Sequence, residues 1–120
     1  TIDHLPQDTE AKNLEFDRAE FGMIGLQTAF SSLLGLISTE LPLDMLLEKL
    51  SNGPRHVLNL PAVKIEEGEF AKLTLFDTRL KWEYNQESNI SKSINSPLLG
   101  HILTGKSVGI INGEKSYFPS

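Results

Sequence analysis

The stretch "GHILTGKSVGIINGEKSYF", residues 100–118, decides between two folds. Its first eight residues spell a phosphate-binding P-loop: Gly100, four residues, then Gly105-Lys106-Ser107. A working P-loop follows a buried strand and opens a helix, whose N-terminus helps hold the phosphates. The residues before Gly100, "SKSINSPLL", are polar and broken by Pro97. The residues after Ser107 carry Val108, Ile110 and Ile111 and then Asn112-Gly113, the preferred pair for a tight hairpin turn. The context is that of a β-hairpin, so nucleotide binding is not expected. On this reading Gly100 and Gly105 permit turns before the hairpin, and Lys106 sits in solvent.

Working back from the hairpin, the second half of the chain reads as strands and the first half as helices. "KLTLFD", 72–77, alternates Leu73 and Leu75 with Thr74 and Phe76, and "LKWEYN", 80–85, is a second short strand. The polar run "NQESNISKSINSPL", 85–98, reads as a long loop. Upstream, Leu26, Phe30, Leu33, Leu34 and Ile37 recur at spacings of three and four, which predicts a buried helix over 25–38. Pro42 suits the first turn of a helix lined by Leu43, Leu46, Leu47 and Leu50 and ended by Gly53-Pro54. "PRHVLNL", 54–60, reads as one further helical turn, and residues 1–18 as a polar loop. The fold class is therefore α+β, helices first and a small antiparallel sheet after. Phe30, Leu33, Leu34, Leu46, Leu47, Leu50, Leu73 and Leu75 are the expected core.

Composition narrows the function. The 120 residues are 39% hydrophobic, which suits a globular chain of one domain or part of a larger one. Eleven basic residues stand against sixteen acidic ones, for a net charge of -5 and a pI near 5.1. That balance argues against nucleic-acid partners, which need clustered Lys and Arg. No apolar run approaches a membrane span and no signal peptide is visible, so neither membrane nor export is expected. The absence of cysteine excludes disulfides and thiolate metal sites and fits a cytoplasmic location. The first residue is Thr1 rather than Met, so a processed chain or a piece of a longer one is expected. Asn89-Ile90-Ser91 is a formal glycosylation sequon without a secretory context.

The histidines do not pair. His4, His56 and His101 have no partner at the spacings a metal site uses, and zinc usually needs three or four protein ligands. Taken alone, Asp3-His4 reads as a turn in which Asp3 caps a backbone amide.

The run "DHLPQDTEAKNLEFDRAEFGMIGLQTAF", 3–30, resembles the end of the catalytic domain in dihydroorotases of the cyclic amidohydrolase superfamily. The usual pattern there is Asp-His-Ala-Pro-His, an acidic segment with Glu and Lys, then Ala-Pro-Phe-Gly, Ile and Gly-Leu-Glu-Thr. The spacing from Asp3 to Phe21-Gly22 matches it without a gap. "LEKLSNGPRHVLNL" (47–60) is similar to the family's Leu-Ser-x-Asn-Pro-Ala segment, and "GEFAKLTLFDTRLKW" (68–82) to its Gly-x-x-Ala-Asp-Leu strand. "SKSINSPLLGHILTGKSVGIINGEKSY" (91–117) is similar to its Ser-Lys-x-x-Asn-Ser-Pro-Phe-x-Gly ending, with "GHILTGKS" as the Gly-x-x-Leu-x-Gly linker between strands. The resemblance spans nearly the whole chain.

The resemblance implies the last strand and helices of a (β/α)8 TIM barrel in residues 1–60. It implies the C-terminal part of a small antiparallel β-subdomain in 61–120. It implies a hydrolase of pyrimidine biosynthesis that interconverts N-carbamoyl-aspartate and dihydroorotate at one or two zinc ions. Zinc lowers the pKa of its water and polarises the carbonyl. Asp3 takes the position of the Asp that binds metal and shuttles the proton at the end of the last barrel strand, where barrel enzymes place their chemistry. Gln7, Phe21 and Gly22 take the positions of substrate contacts. The other metal ligands of the family lie upstream of its matching segment, so the isolated 120 residues are expected to be inactive. They are also expected to associate with the rest of the barrel or with a second copy, as a homo-oligomer.

Four positions depart from the family pattern. Gln7 stands for a His and cannot carry its positive charge. Leu5 stands for a small Ala, Glu20 for Pro, and Gln27 for Glu. These changes leave a second reading open, a catalytically dead dihydroorotase-like subunit that scaffolds aspartate carbamoyltransferase. A third is another cyclic amidohydrolase, of the hydantoinase or allantoinase type.

Overall fold

The computed structural model describes residues 2–119 and shows helices followed by an antiparallel sheet. The helices are α1 (Thr9–Lys12), α2 (Ala29–Leu34), α3 (Leu43–Leu50) and α4 (Asn52–Val57). The strands are β1 (Lys72–Tyr84), β2 (His101–Asn112) and β3 (Lys115–Tyr117), in the order β1-β2-β3. None of the described residues before Lys72 forms a strand, so the barrel strand expected near the start is not seen. A parallel barrel strand takes its hydrogen bonds from neighbouring strands, and no such neighbour is present in these residues. No helix among the described residues is long and apolar enough to cross a membrane.

The sheet is longer than its sequence signals suggested. "KLTLFD" and "LKWEYN" are one thirteen-residue strand, joined through an irregularity between Asp77 and Lys81. A second register shift lies between Leu75 and Phe76. Each shift changes which face a side chain points to. Leu73 and Phe76 are half-buried while Leu75 is exposed, which removes Leu75 from the expected core. The register pairs Asn112 with Lys115, so the turn residues are Gly113-Glu114, one position later than the Asn-Gly signal. Gly113 has φ +63°, a conformation that glycine enters without a Cβ penalty.

The P-loop-like residues lie inside this sheet. His101–Asn112 is continuous strand, so "GHILTGKS" is not a linker between strands. Gly105 sits in mid-strand with φ +87°, opposite the irregular part of β1, and is buried. A Cβ there would stand 2.0 Å from Leu34 Cδ1 of α2. The glycine is what lets α2 approach the strand. Its carbonyl accepts the Trp82 indole N–H at 3.0 Å and the Ser31 hydroxyl of α2. Phe30 of α2 meets Phe76 of β1 at 4.8 Å between ring centroids. Lys106, expected in solvent, is half-buried with its Nζ 5.4 Å from the Trp82 ring centroid.

The helices are shorter than the periodicity suggested. The expected helix over 25–38 forms only at Ala29–Leu34, flanked by turns. Pro42 caps α3 in extended conformation, Asp44 lies in its first turn and Lys49 in its last, matching the helix dipole. Gly53-Pro54 does not end α3. It lies in the first turn of α4, where a missing N–H costs nothing. Leu46 is buried, Phe30, Leu33, Leu34, Leu47 and Leu73 are half-buried, and Leu50, the last residue of α3, is exposed.

Candidate functional site

The opening segment is ordered by polar side chains reaching backbone groups. Asp8 caps α1 by accepting the Ala11 N–H at 2.6 Å. The one-turn helix so formed aims Lys12 back at residues 20–22. Lys12 Nζ donates to the Glu20 carbonyl at 2.6 Å and to the Gly22 carbonyl at 3.2 Å. Gly22 has φ +97°, and a Cβ on it would meet Leu5 at 2.6 Å. Leu5, where the family pattern has Ala, thus fills the space that the missing Gly22 side chain leaves.

Of the four residues singled out from the sequence, three come together. Gln7 Nε2 lies 3.5 Å from the Phe21 carbonyl, a long hydrogen bond, and Gly22 follows directly. Phe21 is 81% exposed, a large apolar ring offered to solvent beside them. Asp3 is exposed, and its backbone carbonyl packs where a Cβ of Gly25 would be, at 3.0 Å. The ion pairs among the described residues, Arg18–Glu15 and Lys64–Glu66, do not involve Asp3. The expected amide cap is made by its neighbour. His4 Nδ1 accepts the Gly25 and Leu26 N–H groups at 3.3 and 3.4 Å, so the histidine is a structural acceptor between the two segments.

The described residues hold no group of three or more His, Asp or Glu that could bind a metal ion. His56 and His101 are exposed and far from Asp3 in the chain. One exposed carboxylate suits a single ligand of a larger centre and does not hold zinc by itself. A hollow of about 380 Å³ is lined by His4, Gly25, Gln27, Tyr84 and Asn89 among others. Its lining includes none of Asp3, Gln7, Phe21 and Gly22.

Two residues that the sequence did not single out as site residues organise this region. Gln27 donates through Nε2 to the Ser88 carbonyl at 2.6 Å and accepts the Ile90 N–H through Oε1 at 2.9 Å. An ionised Glu could make only the second bond, so the departure from Glu is matched to its partner loop. Asn95 accepts the Gln7 N–H at 3.2 Å and donates to the Leu5 carbonyl at 2.8 Å. Its partners lie 88 and 90 residues away, so no local pattern announces it. The sequon asparagine, Asn89, spends its amide internally, accepting the Tyr84 hydroxyl at 3.0 Å and donating to the Ser91 and Ser93 carbonyls.

No protein-family model matches the chain. Curated proteins do. The chain is 39% identical over 106 residues to a dihydroorotase of Caldicellulosiruptor saccharolyticus, covering 87% of the chain and 25% of that protein. A dihydroorotase of Endomicrobium trichonymphae is 38% identical over 114 residues, 92% of the chain and 27% of the relative. One of Sulfurihydrogenibium sp. is 41% identical over 105 residues, 87% and 25% respectively. The chain spans about a quarter of the length of these relatives. Over that span it is homologous to proteins named dihydroorotase, the family that its opening and closing motifs resemble.

Proposed function

We propose that the chain is the C-terminal portion of a dihydroorotase. The complete protein would close N-carbamoyl-aspartate to dihydroorotate, and reopen it, with zinc. The observation that carries this reading is identity of 35–41% to dihydroorotases over about nine tenths of the chain and a quarter of theirs. Residues 1–60 would close the catalytic barrel and 61–120 would belong to the β-subdomain.

The surface supports a partner for the isolated piece. Its accessible area is 9446 Å², against roughly 6,500 Å² for a compact chain of this mass. The radius of gyration is 16.7 Å, where about 14 Å is typical of 120 residues. Phe16, Phe21, Val57, Ile65 and Ile90 are each more than 80% exposed. Apolar area on this scale is normally covered, here by the remainder of the barrel or by a second copy.

Within the complete site, Asp3 would be one metal ligand and would hold the proton exchanged with the ring nitrogen. Zinc, when bound, supplies an activated water and polarises the amide carbonyl. Gln7, held beside Phe21, would present amide N–H groups to the substrate, and the 21–22 turn would form one wall. Because Gln7 brings no charge to an anionic substrate, a second reading stands on that residue: a subunit without activity that binds aspartate carbamoyltransferase. A hydantoinase- or allantoinase-like ring substrate is the third.

The test is Asp3→Ala in the complete polypeptide, assayed in both directions. Turnover should fall by at least the roughly 10²–10⁴-fold that a general acid–base residue contributes. Stability should change by less than about 0.5 kcal/mol, as for other exposed positions. Normal turnover in the variant would refute the role of Asp3. A folded wild-type protein without turnover, co-eluting with aspartate carbamoyltransferase, would establish the second reading.

A further inference from the structure

We propose that Asn95 is a positioning residue that sets the two halves of the reacting loop against each other; this rests on the dihydroorotase reading above. Asn95 lies in the long polar segment between β1 and β2 and is half-buried. Its side-chain amide donates to the Leu5 carbonyl at 2.8 Å and accepts the Gln7 N–H at 3.2 Å. These two groups flank Pro6, and a single amide bridging them does what one peptide unit of a neighbouring strand would do. The same Nδ2 reaches the Gly22 carbonyl at 3.4 Å, and the Asn95 backbone carbonyl accepts the Ile24 N–H at 3.2 Å. One residue therefore grips segment 5–7 and segment 22–24 together.

Among the described residues, one backbone bond joins these segments directly, Leu5 N–H to the Met23 carbonyl at 3.0 Å. Neither segment belongs to a helix or strand. Yet they carry Gln7 and Gly22 themselves, Asp3 two residues before one, and Phe21 at the head of the other. The spacing between a proton-transfer group and the substrate-binding wall thus depends on an amide contributed from the far half of the chain. The sheet and its contact with α2 are held separately, by the β1–β2 ladder and by Gly105. Loss of the Asn95 side chain should loosen the loop without unfolding the sheet. A displacement of about 1 Å at a reacting group can cost on the order of 100-fold in rate.

The experiment uses the complete polypeptide with Asn95→Ala and Asn95→Asp, read by steady-state kinetics and by amide hydrogen exchange. In Asn95→Ala, kcat/KM should fall about 30- to 100-fold, with kcat lowered and KM raised together. Exchange of the Gln7 amide should quicken at least about tenfold, its acceptor being gone. The Ile24 amide, bonded to the residue 95 backbone, and the amides of β1 and β2 should keep their protection. Asn95→Asp retains the acceptor for Gln7 but not the donor to Leu5 and Gly22. It should protect Gln7 and lose an intermediate share of activity. Unchanged Gln7 exchange or unchanged kcat/KM in Asn95→Ala overturns the proposal. So does a fall in kcat at constant KM with loss of sheet protection, which marks a merely structural role. If the wild-type protein turns over neither substrate, the dihydroorotase reading fails, while Gln7 exchange still decides whether the clamp exists.

Discussion

The β1–β2 ladder and the opening loop achieve order by opposite means. The ladder pairs ten residues of β1 with ten of β2 through repeating backbone hydrogen bonds. The loop over 3–7 and 20–27 is held largely by polar side chains, Lys12, His4, Gln27 and Asn95 among them, each reaching backbone groups of another segment. A ladder tolerates changes of side chain because its bonds belong to the backbone. A side-chain clamp has no such redundancy. The region that carries the candidate chemistry is the one whose geometry hangs on single residues.

The largest effect expected of a stability variant is at the point where the ladder is least regular. Gly105→Ala places a Cβ in the left-handed region, at φ +87°, and 2.0 Å from Leu34 Cδ1. Backbone strain of about 1–2 kcal/mol and overpacking of about 1–3 kcal/mol then act together. Gly100→Ala is the control, with φ +84° and open space around the new methyl group. It should cost only the strain. Urea unfolding of the protein carrying each variant measures the difference. Equal losses would mean that α2 does not depend on a close approach at Gly105.

What could be read in advance follows the same division. The helices-then-sheet order, α3 and the final hairpin were visible because apolar periodicity, Pro42 and the Gly113 turn are local signals. The register shifts of β1 and the burial of Gly105 under α2 were not, because they arise from pairing and packing with distant segments. The helix expected over 25–38 forms only at Ala29–Leu34, since residues 25–27 serve instead as partners of His4 and of the loop around Ile90. In the site, Asp3, Gln7, Phe21 and Gly22 were marked through family resemblance. The bonds of Asn95 to the segments that carry Gln7 and Gly22 were hidden by a separation of 88 residues or more for Leu5 and Gln7.

Tyr84 ties the sheet to the polar loop that in turn bonds Gln27 of the opening segment. It ends β1, is 1% exposed, and donates its hydroxyl to Asn89 in the polar loop. Burial pushes its hydroxyl above the usual 10.0, and a side-chain hydrogen bond with Ser96 offsets part of that rise. The unfolded chain releases this proton more readily than the folded one. The stability it contributes is therefore intact below about pH 10 and lost as pH rises through the folded-state value. Tyr84→Phe should cost about 1 kcal/mol at pH 7 through the lost hydrogen bond. It should also flatten the alkaline decline seen when urea midpoints are compared at pH 8 and pH 11. An identical decline in both proteins would show that the buried hydroxyl does not couple loop and sheet to pH.

The smallest effect belongs to the residue whose sequence context first suggested the largest. Lys106 would be the phosphate-binding lysine of a P-loop, but the backbone around it is committed elsewhere. His101 to Thr104 pair with Tyr84 to Lys81, Lys106 pairs with Asp77, and Ser107 with Phe76. The Ser107 hydroxyl faces the Leu75 carbonyl at 3.4 Å. A phosphate cradle needs consecutive N–H groups converging on one point at a helix N-terminus, whereas along a strand they alternate between the two edges. Lys106 instead lies over Trp82, a contact worth about 0.5–1 kcal/mol at a partly exposed site. Lys106→Ala should cost no more than that in urea unfolding. Calorimetric titration with ATP should give no binding heat in either protein. Micromolar affinity in the wild type that disappears in Lys106→Ala would mean that the ladder opens here in solution, and would make this strand the weaker of the two regions compared.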